Sequence, residues 1–326
     1  MIKRAERRQH QRHGVLLTAI AITFVFCVAG CGSGAGLPAA GDEMLSVNPS
    51  ILDNVVPDGT TSESGLVIKD VTTGFTPGEP YRKIDTRVEE YAGDIFNAIC
   101  LAESGYSMSV RHFDWNDPTL PKYYPPSLSP SFTVERAEEY GYHRSPLSPF
   151  EKGQLEVLRK LQDLDSDPDL AAAWDSCDAR RMSEEPFLSY YGITDVALYV
   201  NGIEELPQVR AAAKEWRQCM SDLGIPDLPE MPGVAESLQE EFGLNTQVGI
   251  SLDTAAEESS PSEKEIRIAV QDAKCRETSR FEQLVYDAEW AAEEERIAKN
   301  PEEFAARLEE ISKGTQAYKD YIAENS

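Results

Sequence analysis

The chain has 326 residues, with 57 acidic and 31 basic side chains and a formal net charge of −26. Affinity for nucleic acid comes largely from Lys and Arg displacing counterions from phosphates, so a polyanion of this kind is not expected to bind it. Hydrophobic residues make up 41% of the chain, enough for a packed core and against wholesale disorder.

Residues 1–14 are polar and basic, and Val15 to Gly30 form a run without charge. As a helix this 16-residue run spans about 24 Å, short of a bilayer core of about 30 Å. A basic start, a short apolar run and small residues after it describe a secretory signal. Val28, Ala29, Gly30 and Cys31 close the run. They resemble the lipobox of bacterial lipoproteins. The resemblance implies that signal peptidase II cuts before Cys31 and that Cys31 carries a diacylglyceryl group. Two or three acyl chains make such an attachment effectively permanent. Cys27 fits less well, because the aromatic Phe26 precedes it, and Arg7-Arg8 lacks the apolar follow-on of a twin-arginine signal. Loss of residues 1–30 removes five basic side chains and one acid, leaving 26 basic and 56 acidic residues and a net charge of −30. The expected location is the extracytoplasmic face of the cell membrane, with the lipid on Cys31 as the membrane contact.

Residues 31–80 hold eight glycines and one aromatic, Phe75, whereas the remaining 246 residues hold 25 of the 28 aromatics. This shift predicts a flexible Gly-rich tether over 31–80, followed by a globular region over 81–326. Gly65 to Ile68 allow one strand through which the tether docks in part. From residue 81 onward helix-start signals recur. Ser148-Pro149-Phe150-Glu151 and Ser260-Pro261-Ser262-Glu263 each offer a capping Ser, a Pro at the first helical position and a Glu three residues after the cap. Asp167-Pro168 and Asn300-Pro301 repeat the theme. Beyond Pro261, the apolar positions Ile266, Val270, Ala273, Phe281, Leu284, Ala288 and Ala291 predict one helix of about 40 residues. Alternating β-branched runs are scarce, so the fold class is all-α: a disulfide-stapled, mainly helical domain behind the tether.

The mature body has four cysteines, Cys100, Cys177, Cys219 and Cys275. Outside the cytoplasm an even count favours disulfides, and without Cys-x-x-Cys or supporting histidines a zinc site is not expected. The four permit three connectivities. Cys100-Leu101 followed by Gly105, and Cys219-Met220 followed by Gly224, share a spacing, with Phe96 or Trp216 just upstream. In each case the Gly suits a left-handed helix end. Cys177 and Cys275 both lie late in helices that begin near a Pro. This order favours a degenerate duplication, about 85–190 and 195–326, with staples Cys100–Cys177 and Cys219–Cys275. Trp216, Cys219-Met220, Gly224 and Asp272-x-x-Cys275 also resemble a recurrent pattern in actinobacterial lipoproteins. That resemblance, over roughly residues 90–285, implies the location and a helical disulfide fold and carries no activity.

Two histidines leave with the signal, so the mature chain retains only His112 and His143, which disfavours histidine-based catalysis. Nucleophile elbows, phosphate loops and His-Glu-x-x-His are absent from the sequence. Asp163, Asp165, Asp167 and Asp169 alternate as in an EF-hand. However, Pro168 replaces the required Gly and Trp174 the bidentate Glu, so a capped helix start is expected there in place of a metal site. Neither a metal nor a cofactor is expected. Acidic runs such as Glu293-Glu294-Glu295 are expected to solvate helix faces. Residues 106–149 concentrate seven of the 20 prolines and eight aromatics. A long aromatic-rich segment suits either ligand recognition or a strap packed over the helices. Its candidate ligand contacts are Trp115, Tyr123, Tyr124 and Tyr142. The expected function is a non-enzymatic binding or interaction module of the cell envelope, with an envelope protein or wall polymer as partner. The alternatives are a solute-binding lipoprotein of a transporter and a carboxylate-dependent cell-wall hydrolase.

Overall fold

Helix starts set much of the architecture. The computed structural model describes residues 45–108, 110, 114, 122–123, 128–162, 167–190, 200–244 and 260–326, among which eleven α-helices supply nearly all regular structure. They are α1 (Glu79–Arg82), α2 (Thr86–Glu103), α3 (Val134–Tyr140), α4 (Pro149–Gln162), α5 (Pro168–Arg181) and α6 (Phe187–Tyr190), then α7 (Pro207–Met220), α8 (Glu236–Phe242), α9 (Glu263–Ser279), α10 (Phe281–Lys299) and α11 (Pro301–Asn325). Strands β1 (Leu45–Ser46) and β2 (Val200–Asn201) pair in parallel, with Leu45 opposite Val200. The fold is all-α. None of the described helices is long and apolar enough to cross a membrane.

The Asp167 carboxylate caps α5, accepting the Asp169 and Leu170 N–H groups at 3.1 Å each. Pro168 fills the first turn, where its missing N–H costs nothing. At α4, Ser148 and Glu151 form a reciprocal capping box, each accepting the other's backbone N–H. Two expectations need correction. The cap of α9 is Ser262, accepting the Glu265 N–H at 3.1 Å, and not Ser260. The single helix expected beyond Pro261 is two, because Arg280 adopts φ +57° and redirects the chain between α9 and α10.

One core lies among α2, α5, α6 and α11. Phe187 is fully buried, its ring centroid 5.6 Å from Phe96 and 5.4 Å from both Tyr318 and Tyr321. Gly314 of α11 is a point of close approach, since a Cβ there would stand 2.4 Å from Ile84 Cδ1. A disulfide between Cys100 and Cys177 ties α2 to α5. A second core joins α3, α7 and α9, where Trp216 and Met220 pack at Cys275, and Ala137 meets Ala269 and Ala273. The Cys219–Cys275 disulfide ties α7 to α9. Gly105 and Gly224 sit at φ +87° and +65°, the left-handed ends that the cysteine repeat marked.

Each disulfide joins two helices, α2 to α5 and α7 to α9, but residues 85–190 and 195–326 do not pack as separate units. α11 packs on α2, and α3 packs on α9. The apolar face of α2 is covered by Ile311, Tyr318 and Ile322 from the far end of the chain, and Ala269 and Ala273 are covered from residues 132–142. Residues 85–190 and 195–326 thus each cover an apolar face of the other.

Residues 45–80 also depart from expectation. They are docked along α10 and are not a free tether. Val67 packs on Tyr286 and Trp290. Lys69, 1% exposed, is ion-paired to Asp287 at 2.5 Å, with its ammonium 5.9 Å from the Tyr286 ring and 6.0 Å from Trp290. The segment is poor in aromatics of its own, and it orders itself through charges and carbonyls that meet partners on α10.

Candidate functional site

Asp272, on the buried face of α9, organises the largest polar network beside residues 128–146. Its Oδ1 accepts Trp216 Nε1–H at 2.7 Å and Arg276 Nε–H at 2.8 Å. Its Oδ2 accepts the Tyr142 hydroxyl and Arg276 Nη2–H, each at 3.1 Å. An unexposed carboxylate is tolerable only when bonded in this way. Arg276 also donates from Nη1 to Glu282 at 3.1 Å, and the other oxygen of Glu282 accepts the Phe132 N–H at 2.9 Å. About two turns before Asp272 on the same helix, buried Glu265 accepts the Tyr142 N–H at 2.9 Å and lies 3.3 Å from His143 Nε2. Gly141, at φ +57°, makes this approach sterically feasible, since a Cβ there would stand 2.5 Å from Glu265 Oε1.

These bonds hold Tyr142 against Phe132, the two rings parallel within 6° at 5.5 Å between centroids. Arg276 and Arg136 place their guanidinium carbons 5.1 and 6.0 Å from the Phe132 centroid. Two cavities flank the arrangement and share Phe132, Arg276 and Glu282 as a common wall. The first, about 510 Å³, opens between Val55–Asp58, α3 and the α9–α10 junction. The second, about 890 Å³, lies between residues 128–146 and α9–α10, with Gly233 and Val234 at its edge. Both volumes fall in the range of small-molecule sites.

The four candidate ligand contacts fare differently. Tyr142 lines the larger cavity, its hydroxyl committed to Asp272 and its pKa raised by burial and then by that carboxylate. Tyr123 lines neither cavity. It packs edge-on to Phe75 at 5.4 Å and donates to the Leu66 carbonyl at 3.3 Å, so it clamps residues 66–75. Trp115 and Tyr124 lie outside the described residues, as do Asp163, Asp165 and the lipobox residues Val28 to Cys31. Arg136, Arg276 and Glu282 had no distinguishing signal in the sequence. Asp272 had one, its place in the cysteine repeat.

A second buried polar cluster lies under α1. Glu293, expected to solvate its helix, is completely buried. It accepts Arg82 Nη2–H at 2.6 Å and the Gly78 N–H at 2.7 Å. Burial raises its pKa, and the Arg82 charge opposes the shift. One turn earlier, burial and the Glu293 charge push Glu289 up to about 8, with Arg82 again opposing. The helix face that a polar pattern assigns to solvent is here turned toward residues 76–82. No family model, curated protein or solved structure matches this chain. What the geometry provides chemically is two preformed cavities walled by aromatic rings and by arginine–carboxylate bridges.

Proposed function

We propose that the protein is a lipid-anchored, extracytoplasmic binding module of the cell envelope, held at the membrane by an acylated Cys31 and without catalytic activity. The observation that carries the reading is the pair of disulfides, Cys100–Cys177 and Cys219–Cys275, in a chain that begins with a signal-like leader ending in Val28-Ala29-Gly30-Cys31. Structural disulfides persist in oxidising compartments, and the leader supplies the route to one. Two cavities beside a rigidly bonded Phe132–Tyr142 pair support binding as the task. The arginine–carboxylate bridges around them fix shape rather than offer a nucleophile or base. A transporter-linked receptor with two α/β lobes is not favoured, because the described strands are two residues each.

Docking of residues 45–80 shortens the link to lipid. Only the 14 residues from Cys31 to Met44 separate the anchor from β1, and at about 3.5 Å per residue they reach at most about 50 Å. Exchange of Cys31→Ala, followed by labelling with a palmitate analogue and membrane fractionation, tests the reading. Loss of label and release from membranes are expected. Unchanged processing and retention contradict it.

A further inference from the structure

Three arginines line the larger cavity, and two of them are matched by carboxylates of the same wall or its supports. Arg276 is bonded to Asp272 and Glu282, and Arg144 is paired with Glu151. Arg136 is the exception. It forms no ion pair among the described residues, and its Nε is buried with no acceptor. The Phe132 ring is its neighbour, at 6.0 Å. Burial lowers its pKa, and the Glu282 charge opposes the shift without forming an ion pair with it. A guanidinium partly removed from water without an anion is costly, and a fork of N–H donors is the shape that a carboxylate matches bidentately.

The rest of the wall suits the other end of a ligand. Val71, Leu128, Phe132, Tyr142, Phe281 and Val285 present apolar and aromatic surface. Among the described lining residues Arg144 is paired with Glu151 and Arg276 with Glu282 and, behind the wall, Asp272, so Arg136 is the lining arginine without an ion pair.

We propose that the cavity between residues 128–146 and α9–α10 binds a small organic carboxylate with an apolar body, Arg136 pairing with the carboxylate and the Phe132–Tyr142 pair bordering the body. The inference rests on the binding-module reading and specifies its ligand class.

The test uses the mature chain with both disulfides intact, titrated calorimetrically with decanoate and, separately, with decyltrimethylammonium, a cation of the same tail. Decanoate is expected to bind in a 1:1 ratio and the cation not to bind. Arg136→Gln is expected to weaken decanoate by about tenfold or more. Arg136→Lys should recover part of the loss. Phenylglyoxal modification of the unaltered protein adds a reading that does not depend on a variant folding, since bound decanoate is expected to shield Arg136. If both probes bind equally, or decanoate neither shields Arg136 nor responds to Arg136→Gln, the carboxylate assignment is overturned while binding in the cavity stands. If neither probe binds, both this assignment and the reading of the cavity as a small-molecule site are overturned.

Discussion

Arg82 of α1 donates to Glu293 of α10 at 2.6 Å, and the carboxylate it meets is entirely removed from water. The two residues are 211 positions apart, and their pairing fixes the segment before α2 onto the C-terminal half. Gly78 N–H, 2.7 Å from the other carboxylate oxygen, adds a main-chain tie to the same point. Residues 78–82 are thus held on α10 by polar contacts beside the apolar packing of Tyr81.

Truncating one partner leaves the other charge buried. Glu293→Ala is therefore expected to destabilise the protein by about 3–5 kcal/mol, read from urea unfolding. Replacing both partners with apolar residues, Arg82→Met with Glu293→Leu, should cost clearly less than Glu293→Ala alone. A double variant as unstable as the single would show that the pair contributes more than the desolvation it must overcome.

Glu289 provides a pH test with a definite sign. Its folded pKa of about 8 lies above the ordinary carboxylate value of 4.5, so the folded state holds a proton that the unfolded state releases. That contribution is complete below pH 4.5 and is lost as pH rises through about 8. A tenfold change in proton affinity is worth about 1.4 kcal/mol, so a loss of a few kcal/mol across this window is expected. Glu289→Gln, neutral throughout, should flatten the decline. It should raise the melting temperature at high pH relative to the unaltered protein, with little change at low pH. Equal melting-temperature differences at both ends would remove Glu289 as the source.

Asp272 accepts from Trp216, Tyr142 and Arg276 together. Asp272→Ala strands these buried donors, and a loss on the order of 3–5 kcal/mol is expected from thermal or urea unfolding. Amide hydrogen exchange should show the loss concentrated in residues 132–142, which reach α9 partly through Tyr142, while α2 and α11 keep their protection. Uniform acceleration over the whole chain would mean that Asp272 supports the global fold and not this segment.

Local chemistry carried much of this structure in legible form. The spacing from Cys100 to Gly105 and from Cys219 to Gly224 marked helix ends that are left-handed in the structure, and the order of cysteine contexts favoured the disulfide pairing that is observed. Capping at Ser148 and Asp167 was equally readable, because the bonding partners lie within three residues. The illegible parts depend on distant partners or unusual backbone. Glu265, Asp272, Glu289 and Glu293 occupy buried helix faces, and a polar pattern assigns carboxylates to solvent unless the partner is known. Arg82 and Tyr142, which supply partners to Glu293 and Asp272, are more than a hundred residues away in sequence. Arg280 adopts a conformation that a sequence usually announces with Gly, so the break between α9 and α10 was hidden inside a continuous apolar stripe. Residues 45–80 looked like a tether because their ordering comes from Lys69 and carbonyl contacts rather than from aromatic bulk.

A lipid at Cys31 is the centre of the proposed function. Intact-mass measurement of the protein extracted from the membranes of producing cells tests it directly. The predicted species begins at Cys31 and carries a diacylglyceryl group, with two hydrogens missing for each of the two disulfides. A chain that still begins at Met1, or one cleaved elsewhere and free of lipid, contradicts it.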